Sequence, residues 1–172
     1  NLDLVDSRSG KQHTLLGVLD RTSTPMGARK LRDWILHPLR NLSELTARLD
    51  LVDSLLAEPY LLTKLRDSLK QIRDIERTTG RLSQGSGNAR DLKSLQVSLE
   101  RIPDLKADLA SLPSADTDLK SQISDLIQEF PDLVKTLQDA LVDEPPAQLR
   151  DGGIIRDSYS EALDELRNAS RS

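Results

Sequence analysis

The sequence predicts an all-α protein, a multi-helix bundle of orthogonal or antiparallel helices with short loops and one extended proline- and glycine-rich segment near residues 143–157. Leucine recurs at spacings of three and four residues, which places apolar side chains along one face of a helix. Only 2% of the residues are aromatic whereas 30% are charged, a balance typical of leucine stripes bordered by solvated faces. Prolines and capping residues divide these stripes into separate segments.

The length of 172 residues suffices for one hydrophobic core, so we expect a single domain over residues 1–172. The absence of cysteine excludes disulfides, thiolate metal sites and cysteine nucleophiles. No apolar run approaches the roughly 20 residues that span a bilayer, and no signal peptide is evident, so we expect a soluble, cytoplasmic protein. The chain starts at Asn1 and has no helix stop between Leu166 and Ser172, which suggests a segment truncated at both ends.

The first helices are predicted from two threonine caps. Thr14 can cap a short turn over residues 15–19, and Thr24 followed by Pro25 fits an N-cap and the first position of a longer helix. The pair His37-Pro38 should end that helix, because a residue before proline is disfavoured in the α region. The side chains expected to point inward are Met26, Leu31, Trp34 and Ile35.

The clearest helix follows Asn41, which can form a capping box with Glu44. Its apolar residues alternate in spacing between three and four and form a narrow stripe, which is suited to packing against another helix. The stripe consists of Leu42, Leu45, Leu49, Val52 and Leu56.

Two more helices flank a glycine-rich break. Pro59 starts one helix, with a further turn or two over residues 72–82, and the small polar residues 84–88 end it. Asn88 is placed to cap the next. The apolar residues expected along the first are Leu62, Leu65 and Leu69, and along the second Leu92, Leu95, Leu99 and Ile102.

The remaining elements are predicted from prolines. Pro103 should open a short helix carrying Leu105, Leu109 and Leu112, and Pro131 another carrying Leu133, Val134, Leu137 and Leu141. Between them, beyond the small polar stretch 113–117, we expect one amphipathic helix over 119–130. From Asp143 we expect an extended loop with a few strand-like residues at Ile154-Ile155. Helix should resume after Asp157, with Ser158 and Glu161 in capping-box spacing.

No complete catalytic set is visible, so we predict that the chain is not an enzyme and assign no catalytic, cofactor-binding or metal-binding residue. His13 and His37 each lack a second metal ligand three or four residues away. Gly85-Ser86-Gly87 follows no strand, so a flexible loop is favoured over a nucleotide site. Asp164 and Glu165 are interpreted as solvated surface.

The net charge of −4 is unevenly distributed, with 18 basic and 14 acidic residues up to Lys106, and 6 basic and 14 acidic residues after it. The surplus of basic over acidic residues up to Lys106 is too small to indicate a nucleic-acid-binding surface. We expect ion pairing for most basic residues of the first part, but phosphate contact by some stays open and no DNA-binding residue can be assigned. These residues are Arg29, Lys30, Arg32, Arg40, Arg73, Arg77, Arg81 and Arg90.

Several motifs in order along the chain resemble the lever, or core, domain of MutS mismatch-repair proteins. The opening match is LLGVLDRTSTPMGARKLR at residues 15–32, followed by Trp34 and Pro38-Leu39. The later matches are Arg48-Leu49-Asp50, Asp74-Ile75-Glu76-Arg77, Arg81-Leu82, Asn88-Ala89-Arg90-Asp91-Leu92, Asp143-Glu144-Pro145-Pro146, Gly152-Gly153-Ile154-Ile155-Arg156-Asp157 and Leu163-Asp164-Glu165-Leu166-Arg167. Thr78-Thr79-Gly80 departs from the pattern, so a shorter or bent helix is expected there.

The resemblance implies a helical connector within a longer protein. It implies a mismatch-binding domain and a connector domain before this segment, a clamp inserted after its last helix, and an ATPase domain beyond. It therefore implies no cofactor in this segment, with ATP and magnesium bound elsewhere in the parent protein. The implied partners are mismatched duplex DNA, a second MutS subunit and a MutL-type protein, with no membrane. Non-specific contact with duplex DNA phosphates and a protein-interaction module remain alternative functions.

Overall fold

The computed structural model describes residues 3–113 and 117–171, and within them the all-α prediction is confirmed. The described residues form ten α-helices, two single-turn 3-10 helices (Lys11–His13 and Leu149–Asp151) and no strand beyond one isolated bridge. The α-helices are α1 Leu15–Leu19, α2 Pro25–Leu36, α3 Leu42–Ala57, α4 Pro59–Gln71, α5 Ile75–Ser83, α6 Ala89–Leu99, α7 Ile102–Ala110, α8 Thr117–Leu126, α9 Pro131–Ala140 and α10 Glu161–Arg171. None of the described helices is long and apolar enough to cross a membrane.

The helices fall into two compact units. The first unit is Asn1–Asp74 with Arg101–Gln128, and the second is Ile75–Glu100 with Glu129–Ser172. The expectation of a single domain over residues 1–172 stays a prediction.

In the first unit, α3 lies against α4 and α8, and α4 lies against α7. The buried apolar residues come mainly from α4, α7 and the turns that follow them. They are Leu16, Leu65, Ile72, Ile102, Leu105 and Leu112. The predicted inner face of α4 is confirmed, since Leu65 is buried and Leu62 and Leu69 are half-buried.

In the second unit, α6 lies against both α5 and α9. Its core consists of Ala89, Leu95, Leu99, Leu137, Ala140 and Leu141. The end of α9 is joined to the extended segment by an isolated antiparallel bridge between Leu141 and Ile155. The Val142 N–H donates to the Ile154 carbonyl at 3.0 Å. The prediction of a few strand-like residues at Ile154-Ile155 is therefore confirmed.

The predicted caps of α1, α2, α3 and α6 are confirmed, with one difference in α3. The hydroxyls of Thr14 and Thr24 accept backbone N–H groups at the starts of α1 and α2, and Asn88 forms a full capping box with Asp91. Asn41 caps α3 through its side-chain oxygen, but the Glu44 carboxylate accepts the Asn41 side-chain amide at 3.1 Å. The second bond of the predicted capping box is therefore made to the side chain rather than to the backbone.

Several predicted helix limits were wrong. Residues 72–82 do not extend α4, which ends at Gln71, and α5 begins afresh at Ile75. α8 ends at Leu126, and Phe130 serves instead as the N-cap of α9. The predicted helix after Asp157 begins only at Glu161, so the predicted capping box of Ser158 with Glu161 was wrong. Ser158 lies three residues before the helix and has φ 69°, outside the extended conformation of an N-cap. Part of the predicted polar stretch 113–117 lies outside the described residues.

The predicted packing face of α3 was also wrong, and the predicted inner face of α2 was wrong at Trp34. Trp34 of α2 is 44% exposed and carries the Arg48 guanidinium 4.3 Å from its ring centroid, while Met26, Leu31 and Ile35 are only half-buried. All five residues of the predicted α3 stripe are exposed, Leu49 by 59%. The half-buried residues of α3 are Ala47, Arg48, Leu51, Ser54 and Leu55, so α3 packs through a neighbouring face.

Substitution of two helical glycines by alanine is expected to have opposite effects. A Cβ on Gly17 in α1 would lie 2.1 Å from the backbone oxygen of Lys11, whereas a Cβ on Gly80 in α5 has no neighbour within 4 Å. We expect Gly17→Ala to cost about 1–3 kcal/mol through overpacking. Gly80→Ala should stabilise by about 0.5–1 kcal/mol, because alanine loses less backbone entropy in a helix. Urea denaturation measures both. Equal stabilities of the two variants would contradict the close approach at Gly17.

Candidate functional site: a polar clasp at the base of helix α10

The residues examined for acid–base or metal chemistry occupy structural positions. Among the described residues, no group of three or more His, Cys, Asp or Glu side chains could hold a metal ion. His13 is exposed on a 3-10 turn, and His37 Nδ1 lies 3.0 Å from the Asp33 carboxylate at the end of α2. Asp164 was wrongly interpreted as solvated surface, because it is half-buried and its carboxylate accepts the Ser158 N–H at 2.8 Å. That hydrogen bond fixes the turn that leads into α10.

The glycine loop after α5 does not fit a nucleotide phosphate. Gly85 has φ 67°, and a Cβ on Gly87 would lie 2.7 Å from Leu82 Cδ2. The N–H groups of Ser86 and Gly87 both donate to the Arg81 carbonyl at 3.0 Å. Two donors that could have bound phosphate thus close the end of α5, so the loop is a helix terminator.

At least four of the eight basic residues considered for phosphate contact form ion pairs in the described structure. Arg29 of α2 forms two parallel hydrogen bonds of 2.8 Å to Asp74. Further pairs are Lys30 with Asp33, Arg32 with Asp6, and Arg81 with Asp91, while Arg90 donates to the Pro145 carbonyl. Whether any of these residues contacts a phosphate stays a prediction.

The extended segment between α9 and α10 is attached to α6 by polar contacts. The Arg90 Nε donates to the Pro145 carbonyl at 3.0 Å, and Pro145 is buried. Lys93 Nζ lies 3.5 Å from the Asp143 carboxylate. Arg156 Nη2 lies 2.7 Å from the same carboxylate, so the Asp143 side chain, at the start of the segment, contacts both α6 and a residue near the end of the segment.

Arg167 attaches α10 to the other end of this segment. Its Nη2 donates to the Ile155 carbonyl at 2.9 Å, and its Nη1 lies 2.9 Å from the Asp157 carboxylate and 3.3 Å from that of Asp164. The Arg167 side chain is 22% exposed. We refer to Arg90, Lys93, Asp143, Arg156 and Arg167, with their acceptors, as the clasp.

The clasp keeps its central carboxylate charged. The hydrogen bond and positive charge of Arg156 lower the pKa of Asp143 from its usual 3.8, and Lys93 lowers the pKa further. Because the pKa of Asp143 is lower in the folded state than in the unfolded state, this pairing stabilises the fold at pH values above the unfolded-state pKa. The contribution is lost as pH falls through the lowered pKa, that is, below 3.8.

The contacts of the clasp could not be found by spacing rules. The sequence indicated an extended segment from Asp143 with strand-like residues at Ile154-Ile155, and the family resemblance pointed to the motifs around Asp143, Ile155 and Arg167, but neither predicted a contact among them. The structure joins these three stretches through one carboxylate and one guanidinium. The available signal was compositional, since charged residues border a segment that proline and glycine keep out of a helix.

Comparison with known proteins gives a consistent family. The family described as MutS domain III matches residues 1–171. The chain is 41% identical to the DNA mismatch repair protein MutS of Salinibacter ruber over 99% of its own length and 19% of that protein. It is 42% identical to the MutS proteins of Halothermothrix orenii and Brevibacillus brevis, over 98% and 99% of its length and 19% and 20% of theirs. The chain therefore spans about a fifth of the length of these relatives.

Proposed function

Because this chain belongs to the MutS domain III family, we propose that it is a structural and allosteric connector of a mismatch-repair protein. In this role it couples the binding of mismatched DNA to ATP binding and hydrolysis, both performed elsewhere in a longer protein. The family match over residues 1–171, to relatives five times as long, carries the proposal. The two packed cores and the attachment of α10 support it.

The physical requirement for a connector is stiffness. Packed side chains resist deformation, and coupling over distance needs elements with discrete arrangements. Helices extend about 1.5 Å per residue, so a rotation at the base of a helix becomes a larger displacement at its far end. Nucleotide binding then shifts the connector between arrangements only as far as it favours one of them.

The proposal assigns the cofactors and partners to the longer protein. In this proposal ATP and magnesium bind outside this chain, and the glycine loop supports it, because the loop folds onto Leu82 rather than around a phosphate. Mismatched duplex DNA, a second MutS subunit and a MutL-type protein are the proposed partners, and the cytoplasm is the proposed location. The chain itself has no catalytic role.

A second candidate function is a protein-interaction module. The exposed apolar stripe of α3 favours it, because exposed apolar patches often mark interaction sites. Direct binding to duplex DNA is less well supported, since several basic residues are engaged by carboxylates. Undetectable binding of duplex DNA by the chain at low salt would exclude it, whereas a steep fall of log K with log salt would support it.

Softening α3 should impair the connector. The test uses a chimera in which this chain replaces the matching segment of a full-length relative. In it, Thr46 and Asp53 are both replaced by glycine, and each glycine weakens the helix by about 1 kcal/mol relative to alanine. Both residues are exposed, so packing is preserved. We expect slower ATP-dependent release from mismatched DNA, measured by stopped-flow fluorescence.

The matched control is Thr46→Ala with Asp53→Ala in the same chimera, which removes the same side chains but favours the helix. It should release DNA at the rate of the unmodified chimera. Equal release rates for the folded glycine and alanine variants would contradict the connector role.

A further inference from the structure

We propose that the clasp, with Arg167 as its positioning residue, sets the orientation of α10 within the second unit by charge-assisted hydrogen bonds rather than by an apolar core. For its biological meaning this inference rests on the proposed connector function. It names the contact through which movement of α6 and α9 would reach α10.

The apolar contacts of α10 are sparse. None of the other described helices packs extensively along it. Leu166 is 68% exposed and Leu163 is only half-buried. By comparison, Leu95 and Leu99 of α6 are 8% and 7% exposed. The orientation of α10 therefore cannot depend mainly on burial of its own leucines.

Arg167 compensates for the sparse apolar contacts of α10 by donating to three acceptors at different positions in the chain. The Ile155 carbonyl and the Asp157 carboxylate lie in the extended segment, and Asp164 lies one turn earlier in α10. The planar guanidinium can serve all three because it presents several N–H donors in a fixed plane. A lysine could keep the charge but not this geometry.

The contacts continue from Arg167 to the core of the second unit. Ile155, whose carbonyl accepts from Arg167, is bridged to Leu141 at the end of α9. The next residue, Arg156, pairs with Asp143, which also contacts Lys93 of α6. Polar contacts, with one peptide bond between Ile155 and Arg156, thus join α6 to α10 through a physical network that could carry coupling.

The Asp164 carboxylate strengthens the same junction. It accepts the Ser158 N–H at 2.8 Å while lying 3.3 Å from Arg167. Ser158 has φ 69°, which is unfavourable for a residue with a side chain. The turn is therefore held by the contacts of the clasp. Loss of Arg167 should release the turn and the first turns of α10 together.

Hydrogen exchange of the 172-residue chain, followed by mass spectrometry, tests the proposal. For Arg167→Gln we expect exchange of the amides in α10 to accelerate by about tenfold or more, with exchange in α6 unchanged. Arg167→Lys should accelerate it nearly as much, because the three-acceptor geometry is lost although the charge remains. High salt should accelerate exchange in α10 of the unmodified chain.

The matched control is Arg150→Gln. Arg150 is exposed in the same segment, and no hydrogen bond or ion pair of its side chain is present in the described structure. Its exchange pattern should equal that of the unmodified chain.

Three results would overturn the proposal. They are unchanged exchange in α10 of Arg167→Gln, full restoration by Arg167→Lys, or equal acceleration in α6 and α10, which would show global destabilisation instead. The assay contains neither DNA nor ATP, so its failure is distinct from failure of the connector function.

Discussion

Leu95→Ala is expected to lower the free energy of unfolding by about 2–5 kcal/mol, since it removes three heavy atoms from a packed site that can relax only partly. Leu95 lies on α6, which contacts both α5 and α9, and is 8% exposed. Urea denaturation followed by circular dichroism at 222 nm measures the change.

The matched control is Leu49→Ala on α3, the same substitution at a leucine that is 59% exposed. It should cost less than about 1 kcal/mol, because little packing is lost at an exposed site. Similar costs for the two variants would mean that the exposed stripe of α3 is covered in solution. A cost below about 1 kcal/mol for Leu95→Ala would contradict the core assigned to the second unit.

Arg29→Ala is expected to destabilise the chain by about 2 kcal/mol, because it leaves the Asp74 carboxylate without its bidentate partner. The two side chains are 32% and 17% exposed, so solvent cannot fully replace the lost hydrogen bonds. The pair joins α2 to the residue just before α5. The midpoint and slope of urea denaturation give the loss.

Lys30→Ala provides the control at the neighbouring position. Lys30 pairs with Asp33 across one turn of α2, and both side chains are at least half-exposed, at 64% and 50%. Such surface pairs contribute little, so the variant should remain within about 0.5 kcal/mol of the unmodified chain. A double-mutant cycle with Asp74→Ala isolates the coupling of Arg29 and Asp74. A coupling energy near zero would remove the structural role of the pair.

The two measurements also bear on the connector proposal. The Leu95 variant reports the stability of the packed core, while the Arg29 variant reports a polar attachment between residues distant in sequence. In the second unit, the polar contacts of the clasp are anchored on α6, which also carries the packed core residue Leu95. If polar attachments contribute as expected, the connector joins rigid helical packing to electrostatically fixed junctions.

The starts of most helices could be predicted from the sequence alone, because capping residues and prolines act on the backbone next to them. Thr14, Thr24 and Asn88 satisfy backbone donors at helix starts wherever they were predicted to do so. Proline at the first helical position was equally informative, because it depends only on backbone geometry. The all-α class follows from these signals and from the leucine spacing. The family resemblance also followed from the sequence, since it rests on residue order.

Choices between packing faces were decided only by the tertiary structure. α3 carries two apolar faces, and the sequence favoured the stripe through Leu49, whereas the face through Leu51 and Leu55 is the one partly buried. Periodicity identifies a face but not its partner. Likewise, Asp143 and Arg167 acquire their roles from residues that the fold brings near them. The sequence determined where helices begin because caps act over three or four residues, while burial and the clasp depend on contacts between distant residues.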